Sequence, residues 1–323
     1  MPKEITHWFV AERTAERLCG TCLGDSALGC PNALKMGAVF PDMPYYLTGT
    51  SKLAEMAAMV ANEYHGMHGE DTYVLLRTLL AWSSDHVHPA HKAFLTGVVS
   101  HLQTDIVFHP CIFFMTGNYH DTDPVKRTRA VRDHRRFEVM LDFHVCRALG
   151  QKPQNFKARK FWKSLECRHL LGWSEEDKER SELGIMLKMA VKKFMTAQGL
   201  FPNSIASLIA DVFDPILPDT LKELTALFYR HPPEYLMARL SGSLEYQNPV
   251  SGEICLARVD ELLEQAVGKS IALCKWLESV LAGKNNASFS ERGPSLNFGI
   301  IGADISLARY FAIPSFFDSH EER

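Results

Sequence analysis

Three ionisable side chains recur at four-residue intervals in a stretch that otherwise has the pattern of a buried helix. The stretch runs His101-Leu-Gln-Thr-Asp105-Ile-Val-Phe-His109, within an apolar pattern that begins at Phe94. Residues four apart lie on one face of an α-helix, so the three polar side chains project from one stripe. Burying an unpaired carboxylate is costly, which favours a bound cation over three ordinary core residues. The triplet therefore predicts a metal site.

A second histidine and carboxylate, His134 and Glu138, also lie one helical turn apart. Such pairs are routine on exposed helices, so this pair alone is equally typical of a solvated face. Eleven of the 14 histidines precede residue 145, which places the candidate chemistry in the first half of the chain. In that company, His134 and Glu138 can hold a metal together with His109.

Three more candidates lie at or outside the ends of the predicted helices. Asp42 follows Pro41, and it either ligates a metal or caps the next helix. His65 and His68 are alternatives for one role, and we favour His65 because it directly precedes Gly66 at the end of a predicted helix. His7, at the start of an amphipathic helix, is by itself as typical of a core residue as of a ligand.

Apolar residues recur with helical spacing along most of the chain, whereas alternating strand patterns are nearly absent. Breakers fall between the helical patterns, for example at His88-Pro89 and Pro232-Pro233. The sequence therefore predicts an all-α, multi-helix bundle. The clearest predicted helices cover residues 51–64, 71–83, 93–108, 130–149, 179–198 and 259–281.

The chain divides near residue 150, where a basic stretch with Pro153 separates a His-rich half from a His-poor half. We predict a metal-binding region over residues 1–150. Residues 151–323 are predicted to form a helical extension packed on it or a second helical lobe. The stretch Gly293-Pro-Ser-Leu-Asn-Phe-Gly299 follows no predicted strand, so it is not a phosphate-binding signature and no site is assigned to it.

Composition and charge exclude several classes of protein. The formal net charge of -3 provides no basic field for phosphate backbones, so duplex nucleic acid is excluded as a partner. Hydrophobic residues make up 46% of the chain, as in ordinary globular proteins. We find no signal-peptide pattern and no uninterrupted apolar run of transmembrane length. We therefore expect a cytoplasmic protein without a transmembrane segment.

Taken together, these motifs resemble the zinc-dependent phospholipase C family, a helical group whose members bind three zinc ions in a cleft and cleave phosphodiesters. Their order and spacing are much more specific than any single motif. The resemblance implies a phospholipase C-like bundle with its metal cleft in the N-terminal half. The matching motifs are Ile5-Thr-His7-Trp, Gly37-Ala-Val-Phe-Pro-Asp42, His65-Gly, Ser100-His101-x3-Asp105-x3-His109-Pro and Asp133-His134-Arg-Arg-x-Glu138.

The resemblance also implies ligand sets and a mechanism. It assigns one zinc to Asp42, His65, His101 and Asp105, a second to His109, His134 and Glu138, and a third to His7 with Asp105. A metal-bound hydroxide would attack the phosphorus in line, with Asp42 doubling as the general base. Secreted family members complete the third site with a mature N-terminal Trp, whereas here residues 1–6 precede His7. We therefore expect two or three zinc ions.

The leading interpretation is a zinc-dependent phosphodiester hydrolase that acts on a phospholipid or a related small phosphodiester, with peripheral contact to a membrane. One alternative is a non-catalytic intracellular binding module that keeps the fold. Another is a nuclease-like phosphodiesterase, which would need aromatic stacking platforms and a positive groove. The mildly acidic chain disfavours the nuclease.

Overall fold

The computed structural model describes residues 3–85, 88–156, 158, 182–283 and 291–318. Most of these residues are helical, and the predicted all-α fold is confirmed. The α-helices are α1 (Glu4–Arg17), α2 (Cys22–Gly29), α3 (Pro31–Gly37), α4 (Lys52–His65), α5 (Tyr73–Asp85), α6 (Pro89–Thr116), α7 (Pro124–Ala148), α8 (Glu182–Leu200), α9 (Ser204–Phe213), α10 (Asp219–Thr225), α11 (Glu234–Ser241) and α12 (Val259–Leu281). Short 3-10 helices cover Phe40–Tyr46, Pro153–Asn155, Asp214–Ile216 and Ile305–Leu307.

Local sequence explains where the helices that carry the candidate residues begin. The Ser51 hydroxyl accepts a hydrogen bond from the Ala54 amide at the start of α4. The His88 ring caps α6, and the Asp123 carboxylate caps α7. In both of these helices the first residue is a proline. Proline has no backbone N–H, and at this position an N–H would have no acceptor within the helix, so no hydrogen bond is lost. The predicted breaker at His88-Pro89 is therefore the start of α6.

Helix α6 is the centre of the fold. It extends the predicted range 93–108 at both ends, passing through Pro110 to Thr116. It packs against α1, α2, α3, α5, α7 and α12. By length and composition α6 could cross a membrane, but 94% of its most apolar window is buried inside the protein. Because its surroundings are protein on nearly every side, polar side chains on α6 face other helices.

Two glycines allow α3 to cross α6 at close range. A Cβ atom on Gly37 would overlap the carbonyl of Phe94, and one on Gly97 would overlap the carbonyl of Leu34. Any larger residue at either position would push the helices apart. This close crossing brings the 3-10 helix Phe40–Tyr46, which begins three residues after α3 ends, into contact with α6.

The C-terminal helices pack on the N-terminal ones. Helix α8 contacts α4 and the 3-10 helix Phe40–Tyr46, while α10 and α11 contact α7. Helix α12 lies against α6 and α1. Buried apolar residues from both halves belong to one continuous core cluster. The division at residue 150 stays a prediction.

A small antiparallel hairpin is an element that the sequence analysis did not predict. Strand β1 (Leu244–Gln247) pairs with β2 (Ile254–Ala257), and Leu244 lies opposite Ala257. Each strand has four residues, which is too short for an alternating pattern to stand out from the helical ones. The hairpin packs against α6 through β1.

Candidate metal centre

Two clusters of ligand-type side chains lie inside the N-terminal helices, and all their members are buried. The ligand atoms within each cluster lie within 4.8 Å of one another. The first cluster consists of Asp42 from the 3-10 helix, His65 from the end of α4, and His101 and Asp105 from α6. The second consists of His109 from α6 and His134 and Glu138 from α7.

The Asp105 carboxylate joins the two clusters. Its Oδ2 atom lies 3.2 Å from His101 Nε2 and 3.6 Å from His65 Nε2. Its Oδ1 atom lies 3.7 Å from His109 Nε2 and 3.4 Å from His7 Nε2. One carboxylate thus faces four imidazoles, as the four-residue spacing on α6 predicts for two of them. Each of its two oxygens therefore faces a different pair of imidazoles.

Three of the histidines are oriented by backbone carbonyls. Because a carbonyl oxygen only accepts hydrogen bonds, the Nδ1 atom of each ring must carry the proton, and its Nε2 atom faces the carboxylates. This is the usual arrangement of a metal-ligating histidine, whose other ring N–H donates to a fixed acceptor. The acceptors are the carbonyl oxygens of Ala61 for His65 (2.7 Å), Ala38 for His101 (2.9 Å) and Leu296 for His109 (3.1 Å).

Several buried atoms of the centre have no hydrogen-bond partner among the described residues. They are both oxygens of Asp105, Nε2 of His101, Nε2 of His109 and both ring nitrogens of His7. Unsatisfied buried polar atoms are rare in folded proteins because each costs about 1–3 kcal/mol. Here they are concentrated in one place. Imidazole and carboxylate donors of this kind fit zinc, which binds nitrogen and oxygen ligands in such sites.

The electrostatics of the first cluster favour a cation. Burial by itself would lower the pKa of His101, but the carboxylates of Asp42 and Asp105 outweigh it and raise that pKa to about 10. Burial by itself would raise the pKa of Asp105, but His109 and His101 hold it well below its usual value. The two carboxylates therefore attract positive charge into the protein interior. A metal ion would take the place of the His101 proton.

His7 lies beside the first cluster without belonging to it. Its ring stacks on the His101 ring, with centroids 4.2 Å apart and planes 15° from parallel. Burial, and then the neighbouring His101, lower the pKa of His7 to about 3, so the ring is neutral. Among the described residues, this third position offers Asp105 and His7, and no further His, Cys, Asp or Glu side chain completes a group of three with them.

Of the two alternatives His65 and His68, only His65 lies in the centre. The side chain of His68 is 59% exposed, and its Nδ1 atom lies 3.4 Å from Asp304 Oδ2 at the surface. His65 is buried, and its Nε2 atom lies 3.0 Å from Asp42 Oδ1. The left-handed conformation of Gly66 (φ 61°) ends α4 directly after His65.

A C-terminal segment supports the centre, although the sequence analysis assigned it no site. The Leu296 amide donates to the His65 carbonyl (2.9 Å), and the Leu296 carbonyl accepts from the His109 ring. Nearby, the Gly293 amide donates to Asp71 Oδ1 (2.7 Å). These contacts use main-chain atoms and join positions far apart in sequence. For that reason no side-chain motif could have indicated them.

Two tyrosines that the sequence analysis missed contact the clusters from positions that are partly exposed. The Tyr45 ring lies 5.2 Å from the His65 ring, and the Tyr119 ring lies 5.3 Å from the His134 ring. Both tyrosines are half-buried, whereas the two histidines are buried. The two tyrosines therefore lie between the buried histidines and the surface. A tyrosine three residues after Asp42 was visible in the sequence, but no spacing rule singled it out.

A comparison with protein families shows where this centre belongs. The family model described as zinc-dependent phospholipase C matches residues 6–182, which is more than half of the chain. The chain belongs to the zinc-dependent phospholipase C family. The match includes His7 and every member of both clusters. Neither the curated proteins nor the solved structures provide a match.

Two findings support a protein of the zinc phosphodiesterase type. They are its membership in the zinc-dependent phospholipase C family and its two clusters of ligand-type side chains. The family also implies a lipid or phosphodiester substrate. Helices α9 to α12, the hairpin and the segment around Leu296 lie outside the matched region. The contacts of Leu296 thus come from a part of this chain that the family model does not cover.

Proposed function

We propose that this protein is a zinc-dependent, phospholipase C-like hydrolase of a phospholipid or a related small phosphodiester. The observation that carries the proposal is the burial of seven ligand-type side chains in two clusters that share the Asp105 carboxylate. The first zinc would be held by Asp42, His65, His101 and Asp105, the second by His109, His134 and Glu138, and a third by His7 with Asp105.

The charge of the ligand set suits an anionic substrate. Two divalent ions outweigh the carboxylates of Asp42, Asp105 and Glu138. The centre would therefore keep a net positive charge and attract a phosphodiester. When bound, zinc supplies Lewis acidity, which activates water for attack on phosphorus and offsets charge on the phosphoryl oxygens.

Asp42 is our candidate for the general base. Burial by itself would raise its pKa, but the positive charge of the neighbouring His101 and the hydrogen bond with His65 hold the pKa below its usual value. Asp42 is therefore ionised at neutral pH and can accept a proton from the attacking water. Because its Oδ1 atom faces His65 at 3.0 Å and His101 at 3.4 Å, the carboxylate is held in one orientation.

A hydrolysis assay tests the proposal. Protein prepared without chelator and supplied with zinc is incubated with phospholipid vesicles and, separately, with a chromogenic phosphodiester. We expect release of the phosphomonoester, and we expect His101→Ala to lower the rate by at least about 100-fold because it removes a ligand. His144→Ala is a matched control on α7, since His144 pairs with Asp260 outside the clusters.

The same assay separates the alternative functions. Zinc-loaded protein that cleaves neither substrate would contradict the hydrolase proposal and favour a binding module. Cleavage of single-stranded nucleic acid in preference to both substrates would favour the nuclease. Cytoplasmic location and peripheral membrane contact stay predictions, and fractionation of cells into soluble and membrane fractions would test them.

A further inference from the structure

His7 is held differently from the other histidines that face Asp105. His65, His101 and His109 each donate a ring N–H to a backbone carbonyl. Among the described residues, neither ring nitrogen of His7 has a hydrogen-bond partner. The position of this ring therefore depends on its stacking against His101 and on the placement of helix α1 itself.

The start of α1 is capped by a residue from another helix. Lys3 at the N-cap position makes no side-chain capping bond. Instead, the Asp142 carboxylate accepts from the Ile5 amide (3.1 Å), the Thr6 amide (2.8 Å) and the Thr6 hydroxyl (2.7 Å). These amides belong to the first turn, whose N–H groups have no acceptor one full turn earlier, although the Thr6 amide also donates to the Lys3 carbonyl (3.1 Å). Asp142 on α7 thus serves as the N-terminal cap of α1, a role that a Ser or Asp next to the helix start usually has.

Asp142 is itself held in a fixed place. It is fully buried and accepts a hydrogen bond from the Tyr229 hydroxyl (2.5 Å). It lies one helical turn after Glu138 on α7, so both carboxylates are on the same side of one helix. Helix α7 therefore carries a member of the second cluster and the cap of α1 in one rigid element.

A second buried contact fixes the same end of α1. The Glu4 carboxylate accepts hydrogen bonds from the Tyr46 hydroxyl (2.6 Å) and from the side-chain amide of Gln198. It also pairs with the Lys3 ammonium (3.2 Å). The Lys3 ammonium in turn lies 4.1 Å from the centre of the Tyr229 ring. These contacts tie the helix start to the 3-10 helix that carries Asp42 and to α8. His7 is one residue beyond this anchored turn.

We propose that Asp142 is a positioning residue that sets His7 beside Asp105. Asp142 is not a member of either cluster, yet the third metal position depends on it. This proposal shares one assumption with the proposed function, which is that the bound metal is zinc. Removing Asp142 would leave the Ile5 amide and the Thr6 hydroxyl without their acceptor and would let the His7 ring move away from the Asp105 carboxylate.

Zinc counting with chelator competition tests this proposal. Wild type, Asp142→Ala and His7→Ala are titrated with a chelator, and the zinc remaining per chain is measured by elemental analysis. We expect one zinc ion to leave Asp142→Ala at a chelator concentration about 10- to 100-fold lower than in wild type. His7→Ala should lose the same ion, and the double variant should lose no more than His7→Ala alone.

Two further variants keep the test decisive. Met237 is a buried residue of α11, which packs on α7, so Met237→Ala creates a cavity there and lowers stability without touching α1. We expect Met237→Ala to release zinc as wild type does. If Asp142→Ala fails to fold, Thr6→Val removes one of the three bonds to Asp142 and should show a smaller shift for the same zinc ion.

The outcomes separate this proposal from the proposed function. Wild-type protein that binds no zinc would contradict the proposed function. If His7→Ala binds as many zinc ions per chain as wild type, and with the same affinity, the present proposal is overturned. An Asp142→Ala variant whose zinc release matches that of Met237→Ala would also overturn it, because Asp142 would then contribute to stability alone.

Discussion

The N-terminal and C-terminal regions bury very different side chains. Helices α1, α4, α6 and α7 and the 3-10 helix Phe40–Tyr46 bury five imidazoles and three carboxylates around one centre. Among the described residues from Glu182 onward, the buried polar side chains are uncharged amides and hydroxyls. Ionisable groups are costly to bury without compensation. The comparison teaches that the N-terminal region offers buried clusters that could hold metal ions, whereas the C-terminal region has an ordinary core.

The C-terminal region nevertheless supports the centre. Leu296 contacts His65 and His109 through its main chain, and Tyr229 and Gln198 contact the residues that anchor α1. Among the described residues, every member of the two clusters comes from the N-terminal region. One region therefore supplies the ligand-type side chains, and the other contacts several of the residues that hold them in place.

The largest expected effect follows removal of a ligand from α6. His101→Ala and Asp105→Ala should each lower zinc content and lower the free energy of unfolding by about 3–5 kcal/mol, because bound metal stabilises only the folded state and a broken buried pair leaves an uncompensated charge. Urea denaturation with and without chelator measures this. Unchanged zinc content in both variants would contradict the claim that the N-terminal region, unlike the C-terminal region, holds the metal.

The second effect concerns pH in metal-free protein. Burial holds the pKa values of His7, His109 and His134 below the 6.5 of an unfolded chain, so unfolding takes up protons and stability falls as the pH drops below 6.5. Burial raises the pKa of Asp142 to about 6, which offsets one of these protons. We expect a loss of roughly 3 kcal/mol per pH unit for two net protons.

Denaturation of chelator-treated protein at pH 7, 6 and 5 measures that loss. His7→Ala removes one of the three imidazoles and should make the dependence on pH shallower. If stability were the same at pH 7 and pH 5, the imidazoles would not be neutral in the folded protein. The assigned electrostatics of the centre would then be wrong.

A third, smaller effect tests the support from the C-terminal segment. Gly66 has a φ of 61°, and a Cβ atom there would lie 2.9 Å from Thr72 and 3.1 Å from Ser295. We expect Gly66→Ala to cost about 1–2 kcal/mol for the left-handed backbone, with a further loss as Ser295 and Leu296 are displaced. Zinc should also leave at lower chelator concentration.

Gly150→Ala is the matched control for this variant. Gly150 has a φ of 62°, and its missing Cβ atom would meet nothing within 4 Å. It should show the backbone cost alone, with zinc release as in wild type. Equal behaviour of the two glycine variants in both measurements would mean that the C-terminal segment does not support the centre.

The smallest effect is expected in the ordinary core. Ser270 on α12 is buried, and its hydroxyl donates to the Ala266 carbonyl of the same helix. Ser270→Ala should change the free energy of unfolding by no more than about 1 kcal/mol and leave zinc content unchanged. A loss of zinc in this variant would blur the contrast between the two regions.

Periodicity within one helix was enough to predict part of the centre. Four-residue spacing placed His101, Asp105 and His109 on one face of α6, and the structure has them facing a common centre. Asp42 and His65 come from other elements. Only the order of motifs shared with a known family indicated that they lie in the same cluster as His101 and Asp105. The helices themselves were predicted because apolar residues recur with their period, although Pro110 does not end α6 as its chemistry would suggest.

The supports of the centre could not be predicted. The carbonyls of Ala38, Ala61 and Leu296 orient histidines through main-chain atoms that every residue possesses. Asp142 caps a helix that begins more than 130 residues earlier, so no local capping pattern includes both. Such contacts depend on how the helices pack, and packing is decided by the whole chain.

Anomalous scattering at the zinc edge from crystals of the full chain tests the central claim most directly. The account predicts peaks among Asp42, His65, His101 and Asp105 and among His109, His134 and Glu138, with each metal at coordination distance from the Nε2 atoms. Crystals grown with zinc that show no peak at either cluster, with these imidazoles and carboxylates bonded to water or to one another, would contradict it.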